Sequence, residues 1–385
     1  MQAPNVSTPT RGDIGTIFVA IELSQKNWLI TMHSPDRDRI SQHTVRPGDQ
    51  VGLLDLIERV RERARRALGT PPRVVSCYEA GYDGFWLHRC LLAAGIENHV
   101  FDPASIAVDQ RARRAKSDRI DGKQLLRTLM AYLRGEPRVV QIVRVPSVEQ
   151  EDARRATRER ARLIGEQTAH TNRLKALLRL HGLAVGNPRR RDWLDWVAEQ
   201  RDWEGQAVPS HLMAELAREH ARLLLIGAQL KALEREPEGE PTPAAAEMQH
   251  RADHLARLKA LGPVFSATLT NEVFYKDFRN RREVAAYFGL APAPWKSGGI
   301  DLDQGISKAG NGRARRTSIE LSWLWLLHQP NSALTQWFLQ RTAGASRRIR
   351  RIAIVALARK LMVALWRYLT TGLVPEGAVL KPVTA

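Results

Sequence analysis

Two apolar runs that each close on a glutamate most narrowly limit what this chain can fold into. Residues 14–22 read Ile-Gly-Thr-Ile-Phe-Val-Ala-Ile-Glu, and residues 74–79 read Val-Val-Ser-Cys-Tyr-Glu. Both have the character of buried strands. A carboxylate at the end of such a strand costs several kcal/mol unless it is paired or holds a metal. A third acidic element follows in Arg113-Arg114-Ala115-Lys116-Ser117-Asp118-Arg119-Ile120-Asp121. Asp118 and Asp121, three residues apart at the start of a helix, share one face and stand one turn apart. Such a pair is also what a solvated helix start looks like, because the macrodipole favours Asp in the first turn. The two strand-end glutamates tip the reading toward four acids, Glu22, Glu79, Asp118 and Asp121, around a divalent cation. Four converging carboxylates would otherwise repel one another.

The segments around these acids fit one topology. Strands are expected over residues 14–22, 27–33 and 40–45, then a helix over 51–68 with Leu53, Leu54, Ile57, Val60 and Ala64 on one side. The strand ending at Glu79 follows, then a helix over 83–94 and a strand over 97–101. Three strands, helix, strand, helix, strand is the order of an RNase H-like domain. In that fold, acids from the first strand, the fourth strand and a late helix meet at one sheet edge. The expected organisation is therefore a disordered tail over 1–13, this domain over 14–147, a helical region over 148–245 and a C-terminal domain over 246–385.

The middle region carries two helical stretches, 148–181 and 210–234, with leucines at helical spacing and many arginines and glutamates outside. Leu163, Leu174, Leu177, Leu178 and Leu180 suit a partner helix in a coiled coil. Arg173, Lys175 and Arg179 suit either a phosphate backbone or water. The segment 235–243, with three prolines and a glycine, reads as an exposed linker.

Lys plus Arg number 59 against 41 Asp plus Glu, a net charge of +18, which favours a polyphosphate partner. A codon bias toward arginine would leave the same trace. No apolar run approaches the roughly 18 uncharged residues that would span a bilayer. The polar start lacks a signal-peptide core, so a cytoplasmic protein is expected. Cys77 and Cys90 are the only cysteines, which excludes a disulfide framework and a thiolate zinc site.

The C-terminal part is more specific. Leu258 to Val264 reads as a helix, a glycine turn and a second helix start, either a hairpin offering N–H groups to phosphate or an ordinary corner. Beyond it, Ala285-Ala286-Tyr287-Phe288-Gly289-Leu290-Ala291-Pro292 leads through Trp295-Lys296-Ser297-Gly298-Gly299 to Gly305-Ile306-Ser307-Lys308-Ala309-Gly310-Asn311-Gly312-Arg313-Ala314-Arg315-Arg316. Glycines let the backbone approach a phosphate, and a serine ringed by cations has the surroundings a nucleophile attacking phosphorus needs. A plain phosphate-binding loop would look the same. Residues 318–373 read as helices. Their tryptophans, Trp323, Trp325, Trp337 and Trp366, are expected in the core, and Arg347, Arg348, Arg350 and Arg351 suit phosphate or water.

With these pieces in order, the chain resembles the DEDD transposases of bacterial insertion sequences, the insertion-sequence one-ten family, also called bridge RNA-guided recombinases. The likeness rests on the strand ending at Glu22, on Tyr78-Glu79-Ala80-Gly81, on Lys116-Ser117-Asp118-Arg119-Ile120-Asp121, and on the block from Tyr287 to Asn311. It implies a RuvC-like domain whose Glu22, Glu79, Asp118 and Asp121 bind Mg²⁺ (or Mn²⁺), a coiled-coil region, and a mainly α transposase domain. In that domain Ser297 would form a phosphoserine link to DNA, with Ser307 as the fallback nucleophile. Donor and target DNA, a guide RNA and a homo-oligomer, dimer to tetramer, are the implied partners, with no membrane. Arg113, Arg114, Lys116, Arg119, Lys296, Lys308, Asn311, Arg313, Arg315 and Arg316 are the candidate nucleic-acid contacts. The family usually carries Asp where Glu22 stands and a Pro-Gly where Lys259-Ala260 stand. Two other readings remain open from the sequence. One is a RuvC-like nuclease or junction resolvase that hydrolyses DNA without a covalent intermediate; the other is a nucleic-acid-binding protein with structural acids.

Overall fold

In the computed structural model, residues 15–37, 39–106, 118–137, 139–235, 242–297 and 300–382 are described. The expected tail over 1–13 and the cations Arg113, Arg114 and Lys116 lie outside them. The chain divides into two compact units, residues 1–145 and 146–385, each taken by itself below.

The first unit is built on a five-stranded mixed sheet, β1 (Thr16–Glu22), β2 (Trp28–His33), β3 (Ser41–Val45), β4 (Arg73–Glu79) and β5 (Glu97–Phe101), in the order β3-β2-β1-β4-β5. β1 and β2, and β2 and β3, are antiparallel, whereas β1–β4 and β4–β5 are parallel. This is the expected meander followed by crossovers, an arrangement consistent with an RNase H-like domain. The period of two sorts side chains to opposite faces. Ile17, Val19, Ile21, Val74 and Tyr78 pack with α1 (Gln50–Leu68) and α2 (Trp86–Ala93) on one face. Phe18, Ala20, Val75 and Cys77 pack with Leu125, Leu126 and Leu129 of α3 (Asp118–Leu133) on the other. α1 starts where the Asp49 carboxylate accepts the Gly52 N–H at 2.8 Å and stops at Gly69, whose φ of 74° closes the last turn. Residues 139–145 form no strand of their own; they lie along β5 through a bridge between Phe101 and Ile142 and a Val143 N–H to Val100 carbonyl bond.

α4 (Val148–Leu180) opens the second unit with a capping box formed by Ser147 and Gln150. It pairs with α6 (Ser210–Leu233), burying Leu174 and Leu178 against Leu212, Leu216 and Leu223. Leu180, expected on the partner face, is exposed. The connection between them, which includes Pro188, contains a short α5 (Trp193–Ala198), unforeseen in the sequence, whose Trp193 is buried and donates to the Val185 carbonyl at 3.1 Å. The seam is pinned by Glu219, buried on α6, which accepts from His170 at 2.6 Å and Arg173 at 3.0 Å, both on α4. Arg173 is therefore occupied within the fold.

The rest of the second unit contains α7 (Pro243–Ala256), α8 (Pro263–Leu269), a π-helical turn (Thr270–Phe274), α9 (Arg281–Tyr287), a hairpin of β6 (Pro292–Ser297) and β7 (Ile300–Ile306), then α10 (Gly312–His328), α11 (Ala333–Thr342) and α12 (Arg347–Thr371). Their core gathers Leu255, Leu269, Phe274, Phe288, Trp325, Leu361 and Leu365. Trp325 is buried as expected, but Trp323 is 44% exposed. The corner at 258–262 is latched by the C-terminal segment. Leu258 bridges Leu380, the Lys259 N–H bonds the Val379 carbonyl, and Lys381 donates through its Nζ to the Leu261 carbonyl at 2.7 Å. Gln329 donates to the Lys259 and Val379 carbonyls, both at 2.9 Å, and closes the latch. The corner is thus packed on the C-terminal segment through the Lys259 and Leu261 carbonyls and the Lys259 N–H.

Gly122, in the second turn of α3, lies against β2: a Cβ there would stand 2.5 Å from Thr31 Oγ1 and 3.4 Å from a Leu29 methyl. Thr31 is fully buried, so it has little room to yield. Gly122→Val is expected to destabilise the first unit by about 2 kcal/mol despite the better helix propensity. Urea unfolding of the variant beside the parent measures this, and an unchanged midpoint would show that α3 sits on β2 less closely.

Candidate active site

Glu22 and Glu79 are the last residues of two neighbouring parallel strands. The register pairs Ile21 with Tyr78, so the two glutamates stand level at the same end of the sheet. Alternation fixes their face as well. Glu22 follows Phe18 and Ala20, and Glu79 follows Val75 and Cys77, all on the side covered by α3. Glu22 is half-buried and Glu79 exposed. Burial, together with the charge of Glu79, pushes the Cys77 thiol well above its ordinary pKa, so Cys77 stays a protonated core side chain.

α3 begins at Asp118 and includes Asp121, half-buried in its first turn; the side chains of Asp118 and Arg119 lie outside the described residues. The contact of Gly122 with Thr31 and Leu29 carries this turn to the same end of the sheet, because Leu29 is the cross-strand partner of Glu22. The fold thus brings the helix turn bearing Asp118 and Asp121 to the strand ends bearing Glu22 and Glu79. Among the described residues no three His, Cys, Asp or Glu side chains form a metal-holding group. The expected donor set is all carboxylate, the hard-oxygen chemistry that Mg²⁺ or Mn²⁺ takes, and in kind its residues fit such an ion.

In the second unit the glycine-rich stretch is mostly a hairpin, not the open loop its composition suggests. Ser297 ends β6 and pairs with Ile300 of β7; its side chain and that of Lys296 lie outside the described residues, as do Gly298 and Gly299. The remaining loop, 307–311, folds back on the end of α9. The Ser307 N–H bonds the Ala291 carbonyl at 2.9 Å, Lys308 bonds that of Gly289 at 3.1 Å, and Asn311 bonds that of Tyr287 at 2.8 Å. Gly289 and Gly310 have φ of 64° and 94°, and a Cβ on either would collide with a facing carbonyl oxygen, of Ala309 and Tyr287 respectively. Both glycines serve this close backbone crossing.

Three of the expected nucleic-acid contacts are spent here within the protein. The Asn311 side-chain Oδ1 caps α10 by accepting the Arg313 and Ala314 N–H groups at 3.0 and 3.1 Å. Arg315 donates to the Lys308 carbonyl at 3.0 Å and that of Phe288 at 3.2 Å. Arg313 donates to the Thr157 carbonyl and stands 3.5 Å from Glu272. Lys308 and Arg316 are exposed.

Glu272, which the sequence reading passed over, is the centre of this arrangement. It sits in the π turn, 1% exposed. It accepts from both guanidinium arms of Arg158 on α4, at 2.7 and 2.9 Å, and its own carbonyl accepts the Tyr287 hydroxyl at 2.8 Å. Burial by itself would raise its pKa. The Arg158 hydrogen bonds and charge, with Asn311 and Arg154, outweigh burial and hold the carboxyl below the ordinary glutamate value. A lone acid between Leu269 and Val273-Phe274 was the signal available in the sequence.

Comparison with known proteins bears on both halves. A DEDD transposase signature of the IS110 type matches residues 19–182, and that of the transposase IS116/IS110/IS902 family matches residues 252–336. The Sinorhizobium fredii protein y4rJ, named as a transposase, is 47% identical over 389 residues, covering 99% of this chain and 98% of its own. The transposase for insertion sequence element IS1111A of Coxiella burnetii is 25% identical over 288 residues, 74% of each chain. The transposase for insertion sequence element IS1328 of Yersinia enterocolitica is 25% identical over 233 residues, 60% of this chain and 66% of its own.

Glu272→Gln removes the counter-charge of Arg158 and Arg313, and is expected to lower the stability of the second unit by about 2 kcal/mol at neutral pH. That is less than a fully enclosed pair would lose, since Arg158 is half exposed. The parent should also show an acid limb. A carboxylate with a depressed folded pKa stabilises fully above the ordinary value of 4.5, and that contribution is lost as pH falls through the folded value. Urea unfolding at pH 7 and pH 4 should show the parent losing more stability on acidification than the variant. Equal losses would remove Glu272 from this role.

Proposed function

Because the chain belongs to the IS116/IS110/IS902 family of DEDD transposases, we propose that it excises and inserts its element by serine recombination. Ser297 Oγ attacks the scissile phosphorus, a bond forms between them, and the bond from phosphorus to the deoxyribose oxygen breaks, with the serine proton ending on that oxygen. A DNA hydroxyl then attacks the phosphoserine, restoring the serine and resealing a strand. Conserving the phosphodiester in a covalent link lets strands be exchanged without a nucleotide cofactor.

The observation that carries this reading is the in-register pairing of β1 and β4, which sets Glu22 and Glu79 level, with the α3 turn of Asp121 at the same sheet end. Mg²⁺ or Mn²⁺ held by Glu22, Glu79, Asp118 and Asp121 would supply Lewis-acid stabilisation of charge on phosphate oxygens. Glu22 is longer by one methylene than the Asp usual in the family, and its half-buried place at the strand end accommodates it. Lys296, exposed Lys308 and exposed Arg316 are the cations we assign to the attacked phosphate, together with Arg113, Arg114, Lys116 and Arg119 along the DNA. Asn311, Arg313 and Arg315 support them by holding the loop.

The acids belong to residues 1–145 and Ser297 to residues 146–385. We read the working site as composite, completed between copies in a dimer or tetramer, with the α4–α6 pair as the coiled-coil region. A guide RNA that pairs with donor and target DNA completes the proposal, supported by the surplus of +18. Acting on chromosomal DNA, such a protein works in the cytoplasm. Among the described residues no helix is long and apolar enough to cross a membrane.

Purified protein with RNA from the element flank, donor DNA carrying the element ends and Mg²⁺ is expected to give protein-linked DNA on a denaturing gel. Ser297→Ala should abolish the adduct, Ser307→Ala should leave it, and Asp121→Asn should slow its formation by about a hundredfold. Cleavage without adduct in the parent, or an adduct that survives Ser297→Ala, would refute the assignment of the nucleophile.

A further inference from the structure

Between Glu320 and Glu376 the chain has no Asp or Glu, while Arg341, Arg347, Arg348, Arg350, Arg351, Arg359, Lys360 and Arg367 fall in that stretch. Several arginines on or beside other helices come with acids one turn away: Arg65 and Arg66 with Glu62, Arg162 with Glu159 and Glu166, Arg251 with Glu247, Arg279 with Glu283. The four at the start of α12 have no such neighbour. Among the described residues none of Arg347, Arg348, Arg350 and Arg351 is ion-paired, and all four are exposed.

Their placement on the helix is equally unusual. Arg347, Arg350 and Arg351 continue, at three- and four-residue spacing, the stripe that Ile354, Leu357 and Ala358 bury in the core. At this end of α12 that stripe leaves the core and is lined with cations, and Arg348, three residues before Arg351, flanks it. Arg341, exposed in the last turn of α11, lies across the short turn at 343–346. No acid stands in the first turn of α12, so the arginines there oppose both one another and the helix macrodipole. This arrangement is electrostatically unfavourable in the free protein and is relieved by a dense row of negative charge.

We infer that the first two turns of α12 form a phosphate-gripping surface for double-stranded DNA. This inference rests on the transposase reading, which supplies duplex DNA as substrate, and adds to it a contact site remote in sequence from Ser297. Duplex DNA carries about one negative charge per 1.7 Å of axis, a density suited to several guanidinium groups within two helical turns. Exposed Ile349 and Ile352 stand among the arginines and give the surface apolar footing against deoxyribose. Its role is to hold and orient the duplex, without reading sequence.

The test is a salt titration of full-length protein binding a labelled DNA duplex of arbitrary sequence, followed by anisotropy. Replacing Arg347, Arg348, Arg350 and Arg351 together by Ala should reduce the slope of log affinity against log salt by about 3 to 4, and replacing them by Lys should restore most of it. Circular dichroism checks that each variant retains its helices, and the lysine variant keeps the test decisive if the alanine one misfolds. As a control, Arg65 and Arg66 of α1, paired with Glu62, are replaced by Ala and should leave the slope nearly unchanged. An equal fall in control and test variants would reduce the patch to bulk charge and overturn the inference. So would an unchanged slope, a larger loss on an RNA duplex than on DNA, or a change in oligomeric mass with DNA affinity intact. A parent with no salt-dependent DNA binding would sink the transposase reading and this inference together; a normal parent with an indifferent alanine variant sinks the inference alone.

Discussion

The first unit depends on the register of two parallel strands. With Ile21 opposite Tyr78, Glu22 and Glu79 end level, and because both strands alternate in step, both acids fall on the side of α3. A slip of one residue would turn one glutamate toward α1 and α2 and bury its charge among leucines and valines. The register is held by Ile17, Val19, Ile21 and Tyr78 on one face and by Phe18, Ala20 and Cys77 on the other, all fully or almost fully enclosed. The apolar packing that stabilises the sheet therefore also aims the end that carries Glu22 and Glu79.

The second unit solves a related problem with a charge instead of a seam. Helices far apart in sequence, α4 and α10, are drawn to the π turn because Glu272 is enclosed there and requires cations. Arg154 adds a bond to the Asn271 carbonyl at 2.9 Å and lies 4.1 Å over the Tyr275 ring. An unpaired carboxylate at that depth would be far costlier than ordering these long side chains. The π turn itself follows, since the extra residue it accommodates lets Glu272 face inward while Val273 and Phe274 stay in the core.

Much of the first unit was legible because strands buried on both faces leave unbroken apolar runs, and these betray where they end. The order of strands and helices, the α3 start at Asp118 and the long α4 followed from periodicity. What was not legible depends on which neighbour arrives. Asn311, Arg313 and Arg315 look like phosphate contacts in sequence, yet they are hydrogen-bonded to a cap, to Thr157 and to the carbonyls of Phe288 and Lys308. A cation beside glycine reads the same whether its anion is DNA or a backbone carbonyl. Trp323 shows the converse, an aromatic at helical spacing that is nearly half exposed. The hairpin of β6 and β7 was hidden because Pro292, Pro294 and the glycines mask any alternation.

The latch at the end of the chain has a consequence for how the protein is made. The first unit ends at residue 145, whereas the corner at 258–261 takes its last contacts from Val379, Leu380 and Lys381. At ordinary rates of synthesis, on the order of ten to fifty seconds separate the two events on the ribosome. During that interval a nascent chain can carry the strands of the first unit while the second still lacks its last staple. Order of emergence thus lets the first unit settle on its own contacts before the last staple of the second exists.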